Sequence, residues 1–86
     1  MLGIAAMSGN PPHGGEMHPD GDELIYIVSG RVALHLDAQG LEVIHELQAG
    51  EVFVIPQGTW HRIVLREPTR LLHITPGPGG EHRPLP

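Results

Sequence analysis

Every apolar run in this chain is short, about five to eight residues, and each is closed by Gly, Pro, Asp or Asn. An amphipathic helix needs a window of a dozen residues with apolar side chains recurring every three or four positions, and the chain contains none. The runs are rich in Val, Ile and Leu, which suit the half-buried surface of a strand. Their alternation predicts strands near 2–7, 16–18, 23–28, 31–36, 41–47, 51–55, 59–66 and 69–75. Turn sequences such as Pro19-Asp20-Gly21-Asp22, Ser29-Gly30 and Pro56-Gln57-Gly58 separate them. Many short strands without crossover helices imply one all-β domain with antiparallel pairing, a jelly roll or small β-barrel.

Length limits the chain to a single domain, since its 86 residues bury only a modest core. Gly and Pro are abundant, 12 and 9 residues, but they cluster between the strands as turn punctuation. The domain is expected over residues 1–75. The tail 76–86, Pro76-Gly77-Pro78-Gly79-Gly80 and onward, has no strand pattern and is expected to be extended or disordered.

With a formal net charge of -5 and only five Lys and Arg, the chain has no basic stripe for a nucleic acid or an anionic membrane. The absence of cysteine removes disulfides, thiolate nucleophiles and sulfur-ligated metals, so any metal must rest on nitrogen and oxygen. The opening Leu2–Met7 is apolar but too short to span a bilayer and lacks a basic leader. A soluble, cytoplasmic protein is expected.

Period-two alternation also assigns faces. His61 falls with Ile63 and Leu65, Glu23 with Ile25 and Ile27, and Glu16 with His18. Carboxylates and imidazoles aimed into an apolar interior are costly unless they are paired, and a shared cation would pair them.

Two stretches carry these residues at fixed spacing. In the first, His18 is followed after four residues by Glu23, and Glu23 after six by Gly30. In the second, Gly50, Pro56, Gly58 and His61 enclose the apolar Val52-Phe53-Val54-Ile55. Together they resemble the two motifs of the cupin family over residues 10–65. Three positions depart from the family pattern: Asn10 replaces the leading Gly of the first motif, Glu16 its first His, and Leu65 the final Asn of the second.

The resemblance implies a small cupin jelly roll that binds one divalent metal ion, zinc, manganese or iron(II), through His18, Glu23 and His61. Glu16 reads equally as a fourth ligand or as a group beside the ligands, and His13 is the neighbouring histidine that could stand in for it. Two imidazoles and two carboxylates would neutralise the cation and favour a harder ion than three histidines do. The plainer reading of the same residues is a hydrogen-bonded polar cluster in a cupin without metal. His35, His45, His73 and His82 occupy no motif position and read as ordinary surface or satisfied interior histidines, although His45 shares a face with Val43 and Leu47. Trp60 and Tyr26 read as packing residues on the outer face, and Asp20 and Asp22 as turn formers.

A cupin fold does not fix an activity. The leading expectation is a metal-dependent enzyme of the oxygenase or isomerase type acting on a small polar metabolite, with Glu16 or Glu23 available for proton transfer. The alternatives are a non-catalytic small-molecule binding module and a structural dimer that uses its metal for stability. A homodimer is expected, with the strand 2–7 covering a partner's exposed edge as one arrangement.

Overall fold

The alternation read from the sequence becomes two antiparallel sheets in the computed structural model, which describes residues 1–11 and 14–84. The strands are β1 (Leu2–Met7), β2 (Gly15–Met17), β3 (Glu23–Ser29), β4 (Arg31–Ala38), β5 (Leu41–Gln48), β6 (Val52–Ile55), β7 (His61–Leu65), β8 (Thr69–Ile74) and β9 (Glu81–Arg83). One sheet has the order β1-β8-β3-β6 and the other β5-β4-β7-β2-β9. All eight expected strands form, with ends displaced by no more than two residues. No helix occurs among the described residues, and the architecture is a two-sheet jelly roll rather than one continuous closed ladder.

The facing surfaces make the core. Ile25 and Ile27 of β3, Leu71 of β8 and Ile55 of β6 pack against Val32, Leu34 and Leu36 of β4 and Leu47 of β5. Removing each such side chain from water stabilises the fold by roughly 1.5–3 kcal/mol. Gly30, between β3 and β4, adopts φ 94°, and a Cβ there would run into Pro68 O and Thr69 Oγ1. Only glycine meets both demands.

The strand 2–7 forms the edge of its sheet, where β1 pairs with β8 from Leu2 opposite Ile74 to Met7 opposite Thr69. The tail, which shows no alternation, supplies β9, with Gly15, Glu16 and Met17 opposite Arg83, His82 and Glu81. A three-residue strand is too short to leave a period in the sequence. It forms because β2 has an open edge whose backbone groups gain partners there.

Candidate metal centre

Each residue of the cluster owes its position to a strand pairing or to the end of a strand. Glu16 lies in β2 directly opposite His61 of β7, and His61 is in turn opposite Leu36 of β4. His18 follows β2, while Glu23 opens β3 opposite Ile55. The loops between these ends are tied together. Gly58 N donates to His18 O at 3.0 Å, Gln57 N to Asp22 Oδ1 at 2.8 Å and Gln57 Nε2 to Pro19 O at 2.6 Å. Asp22 therefore does more than form a turn: it locks the loop carrying His18 and Glu23 to the loop before His61.

The result is a convergent group. Glu16, His18, Glu23 and His61 each present one donor atom, and these atoms all lie within 4.8 Å of one another. Glu23 Oε1 stands 3.0 Å from His61 Nε2 and 3.6 Å from His18 Nε2; Glu16 Oε1 stands 3.4 Å from His61 Nε2 and 3.9 Å from His18 Nε2. Glu23, His61 and His18 retain only 5%, 3% and 8% of their exposure, so their polar atoms cannot turn to water.

The donor chemistry fits a cation. His61 Nδ1 donates to Thr59 O at 3.0 Å, which fixes the tautomer and leaves Nε2 for the cluster. In that tautomer His61 Nε2 carries no proton to give the Glu23 carboxylate 3.0 Å away, and both ring nitrogens of His18 are likewise buried without a hydrogen-bond partner. Orphaned buried nitrogens facing two carboxylates are what a metal ion would satisfy. Two carboxylates and two neutral imidazoles carry two negative charges, the complement of a divalent ion.

In the metal-free chain a proton takes over part of that role. Burial opposes charging His61, but the hydrogen-bonding carboxylates of Glu16 and Glu23, with the Thr59 carbonyl, outweigh it and raise its pKa to about 9. Burial likewise pushes the Glu23 carboxyl upward, yet the hydrogen bonds from His61 and Thr75 prevail and hold it below the usual carboxylate range.

Two participants were missed by reading the sequence. Thr75 Oγ1 donates to Glu23 Oε2 at 2.6 Å. Its one proton being spent there, the 2.7 Å contact with His73 Nδ1 is a donation from the ring to the hydroxyl. His73 packs against the bare backbone of Gly3, where a Cβ would collide with the ring. No spacing rule marks Thr75; its signal is the register alone, since Leu24 opposite Ile74 brings the next residue beside Glu23.

The remaining histidines divide. His35 is on the outer face and meets Glu42 at 3.1 Å, and His45 is exposed and stacks on Phe53 at 4.8 Å between ring centroids. His82 is not an unconnected surface residue, for its Nε2 is 3.5 Å from Glu16 Oε2. His13 lies outside the described residues.

Beside the cluster a cavity of about 310 Å³ opens between the sheets. Its walls are mainly apolar, from Ala5, Met7, Ile25, Ile63 and Leu71, with Glu16, Glu23, Arg62, His73 and Thr75 as the polar lining. The arrangement therefore places a group able to hold a cation next to a largely apolar pocket.

An antiparallel jelly roll with His and Glu side chains converging at one end of its interior defines a class of small β proteins built around a single inward-facing site. Residues 7–75 match the cupin domain family, and the chain belongs to it. It is 43% identical over 49 residues to an uncharacterized protein of Acanthamoeba polyphaga mimivirus, a match spanning 57% of this chain and 30% of that protein. Among solved structures it resembles an oxalate decarboxylase of Bacillus subtilis, with TM-score 0.76 and 24% identity over 86% of this chain and 20% of the other. It resembles an oxalate oxidase with TM-score 0.76 and 18% identity over 93% and 44%. The Drosophila melanogaster CENP-C structure bound to CAL1 aligns with TM-score 0.75 and 20% identity over 88% and 65%. These structural likenesses establish the fold, and the chain spans less than two thirds of each of these proteins.

Proposed function

We propose that the protein is a metal-dependent cupin enzyme that oxygenates or isomerises a small oxygen-bearing metabolite. The observation that carries this reading is the convergence of four ligand atoms within 4.8 Å, two of them from Glu16 and Glu23, which also line the cavity. His18, Glu23, His61 and Glu16 would hold a zinc, manganese or iron(II) ion, which when bound supplies Lewis acidity or an oxygen-binding centre.

The chain's own residues divide the remaining work. Ile25, Ile63 and Leu71 exclude water and seat the apolar part of the substrate. The Thr59 carbonyl holds His61 in one tautomer, and Thr75 holds Glu23 by one oxygen. Glu16 is the half-buried carboxylate of the pair, with 29% of its side chain exposed against 6% for Glu23. It is accordingly the better placed to take a proton from a substrate and release it toward the opening.

Elemental analysis of untagged protein, alongside His18→Ala and His61→Ala, tests the proposal. Near-stoichiometric divalent metal in the parent chain and its loss in both variants is the expected result. Metal content that is negligible, or unchanged by the substitutions, would remove it.

A non-catalytic small-molecule binding module is the second reading, favoured by the largely apolar cavity of about 310 Å³ beside the cluster. It predicts metabolite-dependent shifts in the spectra of cavity residues with no turnover. For either reading we place the chain in a homodimer formed by the outer face of the β1-β8-β3-β6 sheet. Leu2, Ile4, Tyr26, Val28, Val52 and Val54 are all exposed there. Of the side chains that alternate onto that face within the four strands, only Arg70 is charged. Covering two such faces, each four strands wide at about 4.8 Å spacing, would remove roughly 1,000 Å² from water, near the threshold for a specific interface. A second copy fits because a largely apolar sheet face is complementary to itself.

A further inference from the structure

The tail has no motif position, yet it is fastened to the elements that carry the cluster. Beyond the β9–β2 pairing, Gly14 N donates to Arg83 O at 2.8 Å and Gly79 N to Asp20 Oδ2 at 2.7 Å. Arg83 lies over the Trp60 ring at 4.3 Å and reaches Asp37 at 3.4 Å, both on the side of the sheet away from the cavity. Gly80 lies against His18, where a Cβ would meet Nδ1 at 3.2 Å and Cε1 at 3.4 Å. Alternation along β9 then turns His82 to the other side, beside Glu16, its register partner.

We propose that residues 79–83 form a wall of the metal centre, in which His82 is a positioning residue for Glu16 and Gly79-Gly80 close over His18. The inference rests on the metal reading of the cluster. Covering the edge of β2 needs only backbone, so any three residues could serve that purpose. What edge covering leaves unexplained is the side chain opposite Glu16. His82 Nε2 is 3.5 Å from Oε2, while Oε1 faces His61 and His18. A ring nitrogen held beside Oε2 restrains the carboxylate's rotation and keeps Oε1 directed at the cluster. Ligating carboxylates need such partners to hold their geometry, and losing one typically costs 10–100-fold in metal affinity. The two glycines fit the same account, because a side chain at Gly80 would press on the His18 ring.

The test is titration of the chain 1–86 with Co(II), read both as affinity and as the visible d–d spectrum of the bound ion. His82 is 60% exposed, so its replacement leaves the core intact, which far-UV circular dichroism verifies. His82→Ala is expected to weaken Co(II) binding about tenfold and to shift the spectrum as Glu16 loses its fixed orientation. His82→Gln, which keeps a side-chain nitrogen, is expected to restore both. His45→Ala, which removes an exposed histidine from the Phe53 side, is expected to change neither. Parental affinity and spectrum in His82→Ala would overturn the proposal while leaving the metal reading in place. A parent chain that binds no Co(II) would instead sink the metal reading, and this inference with it.

Discussion

The Thr75 hydroxyl donates to the Glu23 carboxylate at 2.6 Å, joining residues 52 positions apart in the chain. Glu23 is almost wholly buried, so water cannot replace that donor. Thr75→Val keeps the shape and removes the hydroxyl, leaving Oε2 without its partner. The expected cost is about 1–3 kcal/mol in urea unfolding. A fall of about tenfold in metal affinity should accompany it. Thr75→Ser should recover most of both, whereas equal loss in the two variants would indicate that the methyl group rather than the hydroxyl matters.

Metal-free protein should have a stability profile set by two opposed groups. His61, raised from 6.5 to about 9, contributes stability that is complete below pH 6.5 and is lost as pH climbs through about 9. Glu23, lowered from 4.5, contributes stability that is complete above pH 4.5 and is lost as pH falls through its depressed value. The metal-free chain is therefore most stable between these limits. A bound divalent ion must displace the proton on His61, so metal affinity should rise with pH up to about 9. Urea midpoints from pH 4 to 10, measured with and without chelator, check the profile. A metal-free midpoint that increases between pH 7 and 9 would contradict it.

Chelation should destabilise the metal-loaded chain. An ion present at a hundred times its dissociation constant stabilises the native state by about 2.7 kcal/mol. For a domain of this size that corresponds to a drop of roughly 10–20 °C in melting temperature on chelator addition. His61→Ala should melt at the same temperature with or without chelator. Persistence of the full drop in that variant would move the ion to other ligands.

His18, Glu23 and His61 were legible in the sequence because the chemistry of the site is tied to spacing. Each falls at a strand end marked by a turn, and alternation assigns its face. The core was legible for the same reason: Ile25, Ile27 and Leu71 follow the period that the pleat imposes. Thr75, His73 and His82 were hidden because their roles come from register between strands distant in sequence. Thr75 reaches Glu23 through the β3–β8 pairing, and His82 reaches Glu16 through β2–β9. Alternation fixes which face a residue takes but not which neighbour lies across from it. Three residues of β9 are too few to display alternation at all.

The exposed sheet face carries the last prediction. Val54 is 51% exposed and Ile4 71%, and both lie where a second copy would bury them. Placing a carboxylate there leaves the monomer's core untouched, since the inward neighbours Phe53, Ile55 and Ala5 are unchanged. In the dimer, two-fold symmetry brings the new charge into an apolar interface in both copies. Burying it unpaired would cost several kcal/mol, enough to dissociate an interface of this size. Sedimentation velocity at several concentrations should show the parent chain as a dimer and Val54→Glu as a monomer with unchanged circular dichroism. Ile4→Glu, on the opposite strand of the same face, should behave alike, which separates a face-to-face dimer from pairing along the β6 edge, where only Val54→Glu would act.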